Sequence, residues 1–350
     1  FARASGPTAI AYPGDATGTT KGTWFFPTGA YGTWRKGAWS AGLGFFTPFG
    51  LGVEWDDQDT FAGRPLSTNA QIQGFYLSPV VAYRPHPRVA VSVGAHVVKT
   101  HLKLERILTA NAGTGPDPIN IADVEIEGTS QWTIGLAAAL MYKPVEKLTL
   151  GANYKMGVTN DFQEQDATFT QRSTGSAVLD AAVEANLISQ VGRLGTQSVS
   201  GELDYPDIVS LGARYDFSPR FGVEFDAVWF GWSTFDEVVL DFELAPTATL
   251  EEFYRDEWQY RLGLEYTLND RLRLLAGYVR DISPQPKGSI SPLLPDANRN
   301  DFSLGATWTS PSGAYDLTAG YMLVEFEERD TLENGVGQNY DGFDLSLIHI

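Results

Sequence analysis

The 350-residue chain contains no cysteine. It can therefore form no disulfide framework, and no metal can be held by cysteine thiolates. Histidine is almost as scarce, with four residues in the whole chain. No Ser-His-acid constellation can be assembled from them, so the sequence gives no sign of an enzyme. No metal site and no cofactor is expected.

Long apolar runs and excess basic charge are also missing. A run of about eighteen apolar residues would be needed for a helical membrane span, and none occurs. Lys and Arg number 25 against 43 Asp and Glu, which gives a net charge of -18. A nucleic-acid partner would require a basic face, so none is expected. No linker or change in composition divides the chain, and we predict a single domain, residues 1–350.

What the chain does contain is a repeated two-residue period. In residues 258–267, apolar and polar side chains alternate, and residues 272–280 repeat the pattern after a short break. Alternation of this kind is typical of a strand with one apolar face. Two strands of roughly ten residues joined by a tight turn form a hairpin long enough to cross a bilayer at a tilt. The unit therefore predicts an antiparallel, membrane-spanning hairpin.

The same unit recurs along the whole chain, with short turns and long polar stretches in alternation. A soluble sandwich has no reason to keep its short turns on one side, whereas an outer-membrane barrel has short inner turns and long external loops. The sequence therefore predicts an all-β fold, a transmembrane antiparallel β-barrel. Twelve strands are predicted, at residues 23–34, 38–54, 72–83, 89–106, 131–142, 148–159, 208–215, 221–233, 258–267, 272–280, 301–309 and 315–324.

Aromatic and charged residues support this interpretation. Aromatic residues such as Trp39 and Tyr83 recur beside the short turns, and others such as Trp229 and Trp258 lie toward the long stretches. Two such bands are typical of the two bilayer interfaces, although aromatic residues are also common in strands of any kind. Charged residues occupy the opposite parity and are expected to face a polar lumen, since lipid would penalise them. They are Lys155, Arg214, Glu224, Asp226, Arg261, Glu265 and Arg273.

The strand at residues 89–106 suggests a ligand site. The side chains expected to face inward become apolar toward the outer end of this strand, at Val98, Leu102 and Leu104. The last of them is Arg106. An apolar cavity topped by a guanidinium suits an amphiphile with an anionic head group. The alternative is a rim arginine paired with a loop carboxylate. A second feature of the outer side is the loop at residues 173–192, whose apolar spacing predicts a short amphipathic helix over the lumen mouth.

Several motifs carry a family resemblance over about residues 22–323. They are the segments FFTPFGLG at 45–52, KLER at 103–106, LDYPD at 203–207, WFGWSTF at 229–235, DISPQP at 281–286 and LPD at 294–296, together with Gln131 and Trp132. In order and spacing the chain resembles the FadL family of outer-membrane long-chain fatty acid and hydrocarbon transporters. The resemblance implies a barrel of about fourteen strands with an N-terminal hatch, of which about twelve to thirteen strands are represented here.

The resemblance also implies site residues. A kink in the third strand of the family opens a lateral hole in the wall, and it would fall at Pro48, Phe49 and Gly50. Arg106 would be the head-group arginine, with Val98, Leu102 and Leu104 as ligand-binding neighbours. The family's second basic contact is not evident before Trp258, where Glu251 and Glu252 stand instead. This difference favours neutral hydrocarbons somewhat over fatty acids.

These expectations combine into one function. The chain is expected to transport hydrophobic compounds by passive diffusion across the outer membrane of a Gram-negative bacterium, with capture at the external mouth and lateral exit at the kink. Expected partners are fatty acids, alkanes or aromatic hydrocarbons, besides outer-membrane lipid and lipopolysaccharide, and a monomer is expected. A water-filled general porin and an outer-membrane lipid-modifying enzyme remain open as alternatives. Residues 1–21 are expected to be the remnant of an external loop, without hatch or first strand, and residues 345–350 resemble a translated sequencing adapter.

Overall fold

A closed ring of strands, antiparallel between neighbours from the first to the twelfth, forms the body of the protein. The computed structural model describes residues 2–4, 18–22, 28–110, 118–329, 343–345 and 348–349. Among these, twelve strands pair in chain order, and Ile348–His349 lies between the last strand and the first. They are β1 Gly29–Lys36, β2 Trp39–Glu54, β3 Asn69–His86, β4 Val89–Ala110, β5 Thr133–Val145, β6 Leu148–Lys155, β7 Ile208–Ser218, β8 Phe221–Phe230, β9 Glu257–Asn269, β10 Leu272–Asp281, β11 Arg299–Thr309 and β12 Asp316–Phe326.

Each of the twelve predicted strands overlaps one strand of the ring, and the predicted fold class is confirmed. Residues 23–27 of the first predicted strand lie outside the described part of the chain. The two-residue period gives the ring an apolar outer face, on which Val93 and Leu136 are 66% and 60% exposed. Inside the ring, Arg214 pairs with Asp216 at 3.0 Å and with Glu265 at 3.3 Å. The charged parity therefore faces the lumen, as the pattern indicates.

The predicted short turns also occur at one end of the ring. Two-residue turns connect β1 to β2, β3 to β4, β5 to β6, β7 to β8 and β9 to β10. Gly37 adopts a φ of +61°, a left-handed conformation that favours glycine in a tight turn. Aromatic rings meet beside these turns, for example Trp39 and Tyr83 with centroids 4.5 Å apart. At the opposite end, Trp229 pairs with Trp258 across β8 and β9.

Beyond the ring, the long polar stretches extend the same sheet outward, which the sequence pattern did not predict; this extension is called the outer sheet. Residues 89–98 of β4 pair with β5, whereas residues 101–110 pair with a loop strand. Strands outside the hydrocarbon have no lipid-facing side, so the alternation of their side chains is weak and does not predict them. This outer sheet continues from β4 through the loop strands Ile119–Thr129, Val158–Gln171, Gly195–Tyr205, Glu237–Phe242 and Ala248–Glu251.

Buried polar groups satisfy the backbone where the ring and the outer sheet separate. The amide of Thr100 donates to Ser130 Oγ at 2.9 Å, and the Thr100 hydroxyl donates to Asn160 Oδ1 at 2.8 Å. On the next strand pair, the amide of Gly157 donates to Asp207 Oδ1 at 2.6 Å. A Cβ at Gly157 would lie 2.4 Å from the carbonyl oxygen of Tyr205, so only glycine fits this close crossing. The predicted strand at 148–159 accordingly breaks after β6.

The predicted loop helix exists as helix α1, Ala177–Val191. Ser176 accepts a hydrogen bond from the amide of Leu179 at the N-cap, and Gly192 ends the helix with a φ of +80°. Val183 and Leu187 are buried against Ile121 of the outer sheet. Among the described helices, none combines the length and the apolarity required to span a membrane. The helix therefore packs against the outer sheet through its buried side chains.

We expect Leu187→Ala to loosen the docking of α1 onto the outer sheet. Leu187 is fully buried, and truncating a buried leucine costs about 2–5 kcal/mol. Limited proteolysis of the refolded protein should cut residues 173–195 faster, while the ring keeps its heat-modifiable gel mobility. Val178→Ala is the matched control, because Val178 is 84% exposed and its truncation should change neither readout. Equal cleavage rates for both variants would contradict the docking.

Candidate ligand site in the outer lumen

An apolar pocket lies inside the outer sheet, above the ring. Leu102 and Leu104 of β4 line it, as their inward parity predicts. Opposite them stand Phe162, Leu240 and Leu294 from three separate loop segments. The ladder between β4 and β5 ends at Val98. Leu102 and Leu104 lie beyond that point on the inward face of β4, and they therefore face an enclosed space and not lipid. Its volume is about 50 Å³, and its apolar lining suits part of a hydrocarbon chain.

A packed layer of side chains closes the pocket from below. Val98 is fully buried in it, together with Tyr76 and Tyr205. The Tyr205 ring stacks on Phe49 with centroids 4.3 Å apart. Its hydroxyl oxygen lies 3.1 Å from Thr100 Oγ1, within hydrogen-bond distance, which fixes the ring across the lumen. The sequence placed Val98 beside the ligand, and the structure places it in this layer below the two leucines.

Arg106 lies one inward step beyond Leu104, at the outer end of the apolar parity. It is half-buried and pairs in the ladder with Val124. Burial lowers the pKa of its guanidinium below the ordinary value. Within the described ranges, no carboxylate lies within 4.0 Å of it and no side-chain hydrogen bond is formed, so the alternative pairing with a loop carboxylate is not seen there.

Other cations of the outer sheet are paired, which makes Arg106 distinctive. Arg172 donates to Asp123 at 2.9 Å and also contacts Asp59. Lys103, on the opposite parity of the same strand, lies 2.8 Å from Glu105 and 3.0 Å from Glu125. A desolvated guanidinium without such a partner favours an anionic ligand.

Glu252 is the acidic counterpart, and the sequence interpretation missed it. It lines the same pocket, is 4% exposed, and its Oε2 has no hydrogen-bond partner among the described residues. Burial raises the pKa of the Glu252 carboxyl to about 7, an effect that Gln285 partly opposes. The signal in the sequence is the two-residue spacing of Ala248, Leu250 and Glu252, which places the Glu252 carboxyl on the same side of the chain as the two apolar residues.

The backbone beside Glu252 holds the carboxyl inward. The amides of Glu252 and Phe253 both donate to the carbonyl oxygen of Asp236, at 2.8 and 2.9 Å. Phe253 has a φ of +52°, a conformation that costs a non-glycine residue free energy. This turn leaves Phe253 half-exposed and directs its neighbour into the pocket.

A larger cavity of about 400 Å³ adjoins the apolar pocket. The two spaces share Ile72, Leu203, Phe235 and Leu294 as lining residues. Pro48, Phe49 and Gly50, the predicted kink, line the larger cavity on the β2 side. The predicted ligand-contact residues Leu102 and Leu104 and the predicted kink therefore line two neighbouring cavities that share part of their walls.

The kink is a β-bulge in β2. Phe46 pairs with Tyr76 and Phe49 pairs with Gly74, so that Thr47 and Pro48 oppose the single residue Phe75. Proline has no amide to leave without a ladder partner at this position. A Cβ at Gly50 would meet no atom within 4 Å. The strand stays paired with β3 on both sides of the bulge.

Comparisons with known proteins agree with this architecture. The family described as outer membrane protein transport protein (OMPP1/FadL/TodX) matches residues 7–345. The long-chain fatty acid transport protein of Salmonella typhi is 23% identical over 296 residues, covering 80% of this chain and 66% of the relative. That of Escherichia coli K12 is 22% identical over 307 residues, with 80% and 66% covered. The chain spans about two thirds of the length of the curated relatives it matches.

Solved structures share the fold. A Pseudomonas aeruginosa FadL homologue superposes with a TM-score of 0.79 at 21% identity, covering 91% of this chain and 75% of that chain. The P. putida toluene transporter TodX superposes with a TM-score of 0.66 at 16% identity, covering 89% and 78%.

We expect Glu252→Gln to remove part of the pH dependence of stability. The folded-state pKa of about 7 lies above the ordinary 4.5, so the folded protein binds this proton more tightly than the unfolded chain does. The associated stability is complete below pH 4.5 and is lost as the pH rises to about 7, a change of roughly 3 kcal/mol. Urea midpoints of the wild type should fall between about pH 5 and pH 8, and the variant should fall less. An equal fall in both proteins would refute the raised pKa.

Proposed function

Because the chain belongs to the outer membrane protein transport family OMPP1/FadL/TodX, we propose that it transports hydrophobic compounds across the outer membrane of a Gram-negative bacterium. The observation that carries this proposal is the apolar pocket, which aromatic rings close from below. The long-chain fatty acid transport proteins and the toluene transporter TodX carry, by their names, compounds that such a pocket would accept. Outer-membrane lipid and lipopolysaccharide would surround a monomeric barrel.

Family membership supports a transporter and lends no support to an enzyme. The alternative of a water-filled general porin finds little support in the lumen. Phe49, Tyr76 and Tyr205 pack against one another across it, and Trp232 meets Phe49 edge-on at 5.9 Å. Aromatic rings in mutual contact leave no wide aqueous path among the described residues. Selective passage of apolar molecules fits this lumen better.

The substrate class follows from the two buried charges. Arg106, two residues beyond the pocket residue Leu104 on β4, offers a guanidinium without a carboxylate partner among the described residues, which suits a carboxylate head group. The hydrocarbon chain would lie along Leu102 and Leu104, toward Val98. Glu252 is an acid whose pKa of about 7 leaves it largely protonated at mildly acidic pH, when it would not repel a carboxylate. We therefore place fatty acids first and neutral hydrocarbons second, which reverses the order that the missing second basic contact before Trp258 favours.

Exit is proposed to occur through the wall at the bulge of Pro48, Phe49 and Gly50. Passage through water would expose apolar surface at roughly 25 cal/mol for each Å², whereas a lateral step into lipid would not. Irregular backbone at membrane depth is tolerated where it borders a cavity, and the cavity of about 400 Å³ provides that border. Diffusion would then need no energy input.

Replacing Arg106 with Leu should separate the two substrate classes. Binding of a fatty acid such as laurate should weaken by about 1.5–3 kcal/mol, the contribution of a hydrogen bond to a charged group. Binding of dodecane should barely change. Tryptophan fluorescence quenching of the refolded protein can measure both. Arg193→Leu is the matched control, because Arg193 lies at the exposed surface of the outer sheet and pairs with Glu243. Equal losses for laurate and dodecane would show that Arg106 is structural.

The double variant Pro48→Val, Gly50→Val should block the lateral step. It supplies an amide donor at the bulge and stiffens the strand, while Phe49 keeps its stack on Tyr205. Uptake of labelled laurate by cells should fall to background, with surface exposure and ligand binding unchanged. Gly151→Val adds a side chain to the β6 wall, where a Cβ also meets no atom within 4 Å, and should leave uptake intact. Normal uptake by the double variant would overturn the lateral route.

A further inference from the structure

A separate cavity lies inside the ring, on the short-turn side of the aromatic layer. Its volume is about 260 Å³. Ser78, Ser92, His96, Asn153 and Lys155 contribute polar groups to its lining. No acidic side chain of the described residues lines it. The neighbouring cavity of about 400 Å³, by contrast, is bordered by Asp204, Glu257, Asp281 and Asp296.

His96 lines this cavity and has one ring nitrogen without a hydrogen-bond partner among the described residues. The residue is 6% exposed, and its Nδ1 lies 2.6 Å from the Ser78 hydroxyl oxygen. Its Nε2 is buried and has no hydrogen-bond partner among the described residues. In the tautomer in which Nδ1 accepts the Ser78 proton, Nε2 carries the free N–H. A buried donor left unsatisfied is costly, so a ligand that accepts its hydrogen bond gains affinity.

Lys155 adds a positive charge without a counter-ion. Its ammonium nitrogen lies 5.7 Å from the centroid of the Phe46 ring. Within the described ranges, no carboxylate lies within 4.0 Å of it. Two other lumen cations are paired: Arg214 lies 3.3 Å from Glu265, and Arg273 lies 3.6 Å from the same carboxylate. Lys155 is thus a half-buried cation whose nearest aromatic contact cannot neutralise it.

We propose that this cavity is a carboxylate-binding site, distinct from the Arg106 pocket. Lys155 would supply the charge, and His96 Nε2 and the Asn153 amide would supply hydrogen-bond donors. Phe46, which meets Lys155 at the roof, immediately precedes the bulge residues Thr47 and Pro48. A carboxylate amphiphile whose tail enters the wall at the bulge would keep its charged head group in this polar cavity. In that role the site rests on the proposed transport function, although carboxylate binding itself does not.

Hexanoate is a suitable probe, and hexanol is its uncharged analogue. In refolded protein labelled with ¹³C-histidine, the ring signals of His96 are identified by their loss in His96→Gln. Hexanoate should shift these signals saturably, and hexanol should not. Lys155→Met should weaken the response by at least about tenfold, since a charge-assisted contact is lost. Lys147→Met removes a lysine of the exposed β5–β6 turn and should leave the response unchanged.

The outcomes separate this site from transport. Arg106→Leu should leave the hexanoate response of His96 intact, because that residue belongs to the outer pocket. A response that hexanol reproduces, or that Lys155→Met leaves unchanged, would overturn the proposal. Laurate uptake is measured in parallel. If the wild type takes up no laurate, the transport proposal is refuted. A normal hexanoate response in the same protein would still support the carboxylate site.

Discussion

The need to satisfy every backbone hydrogen bond in hydrocarbon is the constraint on which the rest of the structure depends. A strand in lipid has no water to bond, so the wall must close on itself. The twelve ring strands do so pair by pair, from Gly29–Lys36 round to Asp316–Phe326 and Ile348–His349. Closure in turn decides which way each side chain points. Apolar side chains face outward, and charged groups such as Arg214 and Glu265 meet inside.

Where the wall ends, the same constraint explains the polar side chains at the transition. β4 exchanges its partner β5 for a loop strand near Thr100, and an exchange of this kind threatens to leave amides unpaired. Ser130 and Asp207 accept hydrogen bonds from the amides of Thr100 and Gly157, and Asn160 accepts one from the Thr100 hydroxyl. The chain can therefore leave the ring and form an outer sheet, whose inner face becomes the apolar pocket. The ligand site is a consequence of how the ladder divides.

Desolvation gives three charged residues their character. Arg106, Glu252 and Lys155 each lack the carboxylate or cation partners that neighbouring charged groups have, and Glu252 and Lys155 each border a cavity. Keeping an unpaired polar group buried costs free energy, so the fold must hold it by other means. The positive φ of Phe253 does this for Glu252, and the packing of Phe46 does it for Lys155. A ligand of complementary chemistry would recover part of that cost.

The sequence alone determined the ring, because a two-residue period and short turns are local properties that the membrane reinforces. The two-residue period predicted the hairpin of β9 and β10 residue by residue, and it predicted that Leu102 and Leu104 face inward. The apolar spacing of the 173–192 loop predicted its helix. The outer sheet was not readable, because its strands face water on one side and other loops on the other. Nor were Glu252 and the cavity around His96 and Lys155. Their environments are built by segments far apart in the chain, such as Gln285 beside Glu252 and Ser78 beside His96, and only tertiary packing decides which polar groups remain without a partner.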